Sequence, residues 1–360
     1  MIEYNDDIEM AETLLEDSED SSETPPSDIV AFNELRSCAD LVRMYEAKQL
    51  VIKPDFQRDV VWTAPSQTRF IDSLVKQLPI PSMCLSLDYK TEKRQMIDGL
   101  QRISSIIKFL NDDDWRLSNL EDIDARISGK TAEYIKQKHP DIYSRIQNLT
   151  IPITVLRCDY SKKSHQNYLF TIFHRLNTGG NKLSNQEIRN CIYSGSFNKL
   201  LKEIVSEKDV RLLFNLEEGK SYRFSYEELF LRVFTFTEMI NSYNGKLAKF
   251  LNTYMSIKRD ISDEEYQDKL TKMMMAINIF YHKIQSGRAL PKLSKATLEA
   301  TLVGMYLNIE NLILEPEEKL KERFSILRND SNFSVINLSE GIAATEKVKS
   351  RILKGIEIFS

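Results

Sequence analysis

The chain predicts an α+β fold: a small mixed α/β core in its first half and a mostly helical second half. Three observations carry that expectation. Apolar runs of strand length are confined to residues 50–156, at Leu50-Val51-Ile52, Met83–Leu87, Arg94–Ile97 and Ile151–Leu156. Beyond residue 163 such runs stop, and S-x-x-E capping signatures open helices at Ser184 with Glu187, Ser225 with Glu228 and Ser262 with Glu265. Residues 1–27 fit neither pattern, being too polar and charged to fold alone. The expected division is a disordered acidic tail at 1–27, a core at 28–160 and a helical domain at 161–360, the core packed against the helical half.

Taken in order, Leu35, Ala39, Leu41, Val42 and Tyr45 space a short helix over 33–48, and residues 50–52 follow as a strand. Pro65 suits the first turn of a helix running to about Gln77, which buries Phe70, Ile71, Leu74, Val75 and Leu78. Pro79 and Pro81 end it and hold the connection extended. The strands at 83–87 and 94–97 flank a polar turn, and the second delivers the chain to Asp98-Gly99. Ile103, Ile106, Ile107 and Leu110 then recur at i, i+3, i+4 and i+7, the buried stripe of a helix. Trp115–Ile146 reads as a polar helical insertion before the last strand. A helix at about 165–176 and amphipathic segments at 226–241, 263–287, 295–313, 317–328 and 340–358 complete the chain.

With 360 residues, 42% of them hydrophobic, the chain can bury a substantial core. No apolar run approaches 18 residues, so no membrane span is expected, and the acidic N-terminus is unlike a signal peptide. Cys38, Cys84, Cys158 and Cys191 show no metal-ligand spacing and read as buried thiols of a reducing cytoplasm. The net charge of −4 hides a division. Residues 1–35 carry twelve acids and no lysine or arginine, so 36–360 hold 41 acids against 49 bases, a net of +8. A mildly basic body permits nucleic-acid or nucleotide binding without demanding it. The tail is either a solubilising arm or an autoinhibitory strip that occupies a basic groove.

The most informative stretch is Asp98-Gly99-Leu100-Gln101-Arg102, a strand, a tight turn and a polar helix start. Gln101, Arg102, Ser104 and Ser105 lie off the apolar stripe. A helix N-terminus offers backbone N–H groups and partial positive charge to an anion. Glycine lets backbone approach a phosphate and arginine supplies a bidentate fork, although a plain cap with a surface arginine has the same sequence.

This block, with three others in the same order, resembles the N-terminal family of GmrSD-type restriction endonucleases, marked by D-G-Q-Q-R. The others are Phe56-Gln57-Arg58 through Trp62, Leu78-Pro79-Ile80-Pro81, and Phe173 to Asn190. Leu100 stands where the family usually carries glutamine. The resemblance implies a ParB/sulfiredoxin-like core that binds a nucleoside triphosphate and magnesium, in a restriction or anti-phage defence system. It further implies that Asn177, Thr178, Gly179 and Gly180 face the Asp98-Gly99 loop across a cleft. Two-part members carry an HNH nuclease domain; the 78 residues after His282 contain no histidine, so a module without that domain is expected. Walker A is absent as well.

The residues themselves support assignable roles with ordinary alternatives beside them. Gln57 and Arg58 precede a helix, where Arg58 can meet a phosphate or carboxylate, while Trp62 suits the core. Gly179 and Gly180 form a helix C-cap or an anion-binding nest. Arg189 is a second candidate phosphate ligand, Glu187 a capping residue. Asp98 is the candidate magnesium ligand or general base, or else closes the turn. Arg223, Glu227, Glu228 and Arg232 can form a solvated or interdomain ion-pair face. Three functions are compatible with these residues: an NTP-binding, NTP-hydrolysing protein whose nucleotide state controls engagement of DNA or of a separate nuclease subunit; a non-catalytic sensor of nucleotide or modified DNA; and a metal-dependent nuclease using Asp98. A homo-oligomer is compatible with each.

Overall fold

The computed structural model describes residues 6–17, 25–52, 62–176, 184–217, 222 and 224–360. Contacts divide the chain into two compact units, Glu23–Leu183 and Ser184–Ser360, the second joined by the N-terminal helix. The architecture is α+β, as expected. The unit boundary falls at 183/184 rather than 160/161, because the helix after the last strand packs on the sheet. In the stretch expected to be disordered, Asp6–Asp17 forms a helix, α1. Ile8 and Glu12, one turn apart, share its buried face.

The first unit runs β1 (Val30–Ser37), α2 (Cys38–Glu46), β2 (Leu50–Val51), α3 (Ala64–Val75), β3 (Met83–Asp88) and β4 (Arg94–Asp98). It continues through α4 (Leu100–Asn111), α5 (Ala132–Lys138), α6 (Pro140–Asn148), β5 (Thr150–Cys158) and α7 (Lys163–Leu176). The five strands form one mixed sheet in the order β1-β5-β3-β4-β2. β1 pairs antiparallel with β5, β5 parallel with β3, β3 antiparallel with β4, and β4 parallel with β2. Residues 33–37, placed at the start of a helix by their spacing, therefore belong to the edge strand β1; the helix begins only at Cys38, where Ser37 caps it by accepting from Asp40 N–H. Thr63 caps α3, with Pro65 in its first turn. Residues 115–131 of the expected helical insertion are mostly turns and irregular chain, stitched by an antiparallel bridge between Arg116 and Thr131.

The core of this unit lies where α3, α4 and α6 cover the sheet, with Ile71, Leu74, Leu85, Ile106, Phe109 and Ile153 almost fully buried. The buried stripe of α4 is Ile103, Ile106 and Phe109; Ile107 and Leu110 are only half-buried. Trp62 packs edge-on against Phe70 at 5.5 Å, as its apolar bulk suggests.

The second unit is helical: α8 (Asn185–Ile192), α9 (Ser196–Ser206), α10 (Lys208–Leu213), α11 (Ser225–Met239), α12 (Leu247–Ile257) and α13 (Asp263–Asn278). A π-helical turn at Ile279–Ile284 extends α13, before α14 (Lys295–Leu307), α15 (Ile309–Leu312), α16 (Glu317–Asn329), α17 (Val335–Ser339) and α18 (Thr345–Phe359). The Ser184–Glu187 capping box is complete and Ser262 caps α13. Ser225 caps nothing, because α11 starts from Phe224 in a left-handed conformation, and Glu228 is used elsewhere. α14 and α18 cross closely: a Cβ on Gly304 would collide with the Gly355 carbonyl, and one on Gly355 with the Ala300 carbonyl.

Candidate functional site

The turn between β4 and α4 is built by a change of register. Cys84 pairs with Asp98 but Leu85 pairs with Met96, so Ile97 is an extra residue in β4. Such a bulge bends the strand and re-aims the residues beyond it. Gly99 then adopts φ +102°, a conformation that side chains resist, and caps α4 without any side-chain hydrogen bond to the helix start. Its lack of a side chain is needed twice, since a Cβ there would lie 2.6 Å from Met83 Cγ. Its left-handed conformation and the close packing of Met83 therefore both account for this glycine.

The first turn of α4 gathers three of the four sequence blocks. Gln101 Oε1 accepts from the Trp62 backbone N–H at 3.2 Å, which ties the end of the first block to the helix. Arg102 donates to the carbonyls of Pro81 and Ser82, holding the proline connection, and pairs with Asp98 at 2.8 Å. The Arg102 side chain is 14% exposed and that of Asp98 38%. Arg102 is thus a fixed, largely buried cation with an accessible carboxylate beside it. Ser104 is half-buried on the second half of that turn, and Ser105 is buried with its hydroxyl donating to the Gln101 carbonyl. Gln57 and Arg58, and Asn177, Thr178, Gly179 and Gly180, lie outside the described residues.

Arg189 is a correction. All eight residues of α8 are buried, and the Arg189 guanidinium donates to Glu228 at 2.8 Å, to Asn252 at 2.9 Å and to Gln186 at 3.2 Å. It has a structural place inside the helical unit rather than a phosphate-binding one. Glu228 also accepts from Arg232, whose Nη1 reaches Glu299 at 2.7 Å. The expected solvated ion-pair face is therefore a buried chain of alternating charge, and Arg223 lies outside the described residues. Glu227 is separate from that chain, and burial pushes its carboxyl up to about 7.

Sequence reasoning also missed a cluster at the start of α7. His165, 1% exposed, accepts the Asp159 backbone N–H on Nδ1, and its Nε2 lies 2.8 Å from Asp28. Asp28 is held down to about 2, mainly by Lys162 and then by His165. Spacing gives no signal for it, since Asp28 stands 137 residues from His165. All four cysteines are buried free thiols, and burial pushes Cys38, Cys84 and Cys158 up to about 12, which keeps them unreactive. Among the described residues no three His, Cys, Asp or Glu side chains are grouped to hold a metal, and no helix is long and apolar enough to cross a membrane.

Residues 38–194 match the family described as GmrSD restriction endonuclease, N-terminal domain. The match spans α2 to the first residues after α8, and includes the whole Asp98–Arg102 turn. No curated protein and no solved structure matches the chain.

Proposed function

We propose that this chain, whose residues 38–194 match the GmrSD restriction endonuclease N-terminal domain, is the nucleotide-binding component of a DNA restriction or defence system, with a nucleoside triphosphate seated at the start of α4. One observation carries the reading: a twelve-residue helix begins at a left-handed glycine with no side-chain cap, beside a fixed arginine and a half-exposed aspartate. Its first N–H groups and its dipole favour a phosphate at that end. Arg102 adds charge-assisted donors in a planar fork. An arriving phosphate competes with Asp98 for the guanidinium, and a released Asp98 carboxylate is then available to the magnesium that a triphosphate brings with it. Nucleotide state would thereby be felt at the Pro81-Ser82 connection, which Arg102 also holds. Engagement of DNA, or of a separate nuclease subunit, is the step that this state controls.

Calorimetric titration of each nucleoside triphosphate with magnesium into the parent and Arg102→Ala tests the site. Loss of a charged contact worth about 1.5–3 kcal/mol weakens binding roughly ten- to a hundredfold; equal affinities would remove Arg102 from the site. Phosphate release and DNA strand cleavage, assayed with and without DNA, then separate hydrolysis from sensing. The Asp98–Arg102 pair favours a second reading, in which Asp98 holds the arginine and the domain senses nucleotide without turnover. In that case phosphate release stays at background in the parent as in Asp98→Asn, and the substitution lowers the melting temperature.

A further inference from the structure

The helical unit contains a small cavity of its own, remote in sequence from the α4 turn. Arg232 of α11, Lys295 and Glu299 of α14, and Arg351 of α18 line it, and Glu12 of α1 closes it. Arg232 is answered by Glu228 and Glu299. Arg351, 3% exposed, donates to the carbonyls of Ile342 and Asn337. A Glu12 oxygen accepts from the Lys295 backbone N–H at 2.6 Å. Lys295 is the first residue of the thirteen-residue α14, so this carboxylate sits on that helix's positive end. Burial pulls the Lys295 ammonium and the Arg351 guanidinium down; Glu12 and then Glu299 oppose that pull in Lys295, whereas in Arg351 Glu299 and Tyr243 oppose it more than Glu12 does.

A helix N-terminus whose first backbone N–H is taken by the Glu12 carboxylate, in a cavity that Lys295, Arg232 and Arg351 also line, makes an anion site with an anion in it. That anion comes from the acidic N-terminal segment, on a helix separated from the rest of its unit by more than 160 residues of chain. We propose that this cavity binds a phosphate group, and that α1 keeps it shut by lodging the Glu12 carboxylate in the phosphate's place. The remaining space is about 10 Å³, room for roughly one water. Carboxylate and water together approximate the volume of one phosphate. α1 is then a tethered competitor, and a tethered group competes at an effective concentration in the millimolar range.

The test uses the full chain carrying Glu12→Ala, with inorganic phosphate and glycerol phosphate as probes and sodium chloride of matched ionic strength as control. Calorimetry and thermal melts are read together. Glu12→Ala should bind phosphate at least about tenfold more tightly than the parent, as expected when an intramolecular competitor is removed, and its melting temperature should rise with phosphate but not with chloride. Adding Lys295→Ala, with folding checked by its melt in chloride, should abolish both gains. Binding of glycerol phosphate as well as inorganic phosphate identifies a phosphomonoester ligand; binding of inorganic phosphate alone identifies the free ion. No gain in Glu12→Ala, or a gain that survives Lys295→Ala, overturns the proposal. Neither outcome depends on nucleotide binding at α4.

Discussion

The starts of α4 and α8 look alike in sequence, each with glutamine and arginine in its opening turns, yet the fold uses them in opposite ways. α8 is sealed: Ser184 and Glu187 satisfy its first N–H groups, every residue is buried, and Arg189 is neutralised by Glu228. α4 is left open: a glycine stands where the cap would be, and Arg102 pairs with a half-exposed aspartate. A capped helix start with its arginine inside is a structural joint. An uncapped one with an accessible carboxylate beside its arginine leaves its first N–H groups without a side-chain acceptor. The difference lies in the residue before the helix, serine against glycine, more than in the arginine itself.

The most severe way to break the sealed end is Glu228→Ala. It strands Arg189 and Arg232 in the interior, and losing one partner of a buried pair costs about 3–5 kcal/mol. Urea denaturation should show that loss, or the variant should fail to accumulate as folded protein. A cost under about 1 kcal/mol would mean that the chain of charges is solvated after all.

Glu227, adjacent to Glu228 but outside the network, sharpens the same contrast through pH. Its folded carboxyl titrates at about 7 against an ordinary 4.5, so the folded state holds the proton more tightly. Its contribution is fully present below about pH 4.5 and is lost as pH rises through 7. Glu227→Gln should remove that slope and stabilise the protein at pH 8 by up to about 3 kcal/mol. Melts of both proteins across pH 5–8 decide it; parallel curves would show that Glu227 does not titrate in this range.

At the open end, Gly99→Ala should cost about 1–3 kcal/mol, from a strained left-handed residue and a collision with Met83. Its effect on nucleotide affinity should exceed that on stability if the first turn of α4 is the phosphate site. The smallest expected change in stability is from Arg102→Ala, about 1 kcal/mol or less because the pair is only partly buried. That modest figure beside a large loss of affinity is what distinguishes a ligand-binding arginine from a joint. Chemical denaturation of both variants gives the comparison.

Much of the fold is legible in the amino-acid sequence, and the failures have physical causes. The strands at 50–51, 83–88, 94–98 and 150–158 are short apolar runs bounded by turns, which is what periodicity detects best. β1 escapes because an edge strand leaves Val30 and Leu35 exposed and lacks an alternating buried face. The Asp98–Arg102 turn is legible as a helix start, but the bulge at Ile97 and the Trp62–Gln101 tether depend on strand pairing and on residues 39 apart. Arg189 misleads because a charged residue at helical spacing looks solvent-facing until the partner arrives from another helix. Glu228 is 39 positions away and Glu299 lies further still.

The alternating line Arg189–Glu228–Arg232–Glu299 has an evolutionary consequence. Loss of either inner member strands an end, since without Glu228 nothing in the line answers Arg189 and without Arg232 nothing in it answers Glu299, whereas replacing the whole line with well-packed apolar side chains can be tolerated. Descendants of this fold should therefore inherit these positions as a unit. Chains should carry either the full alternation or none of it, with intermediates kept rare by their instability.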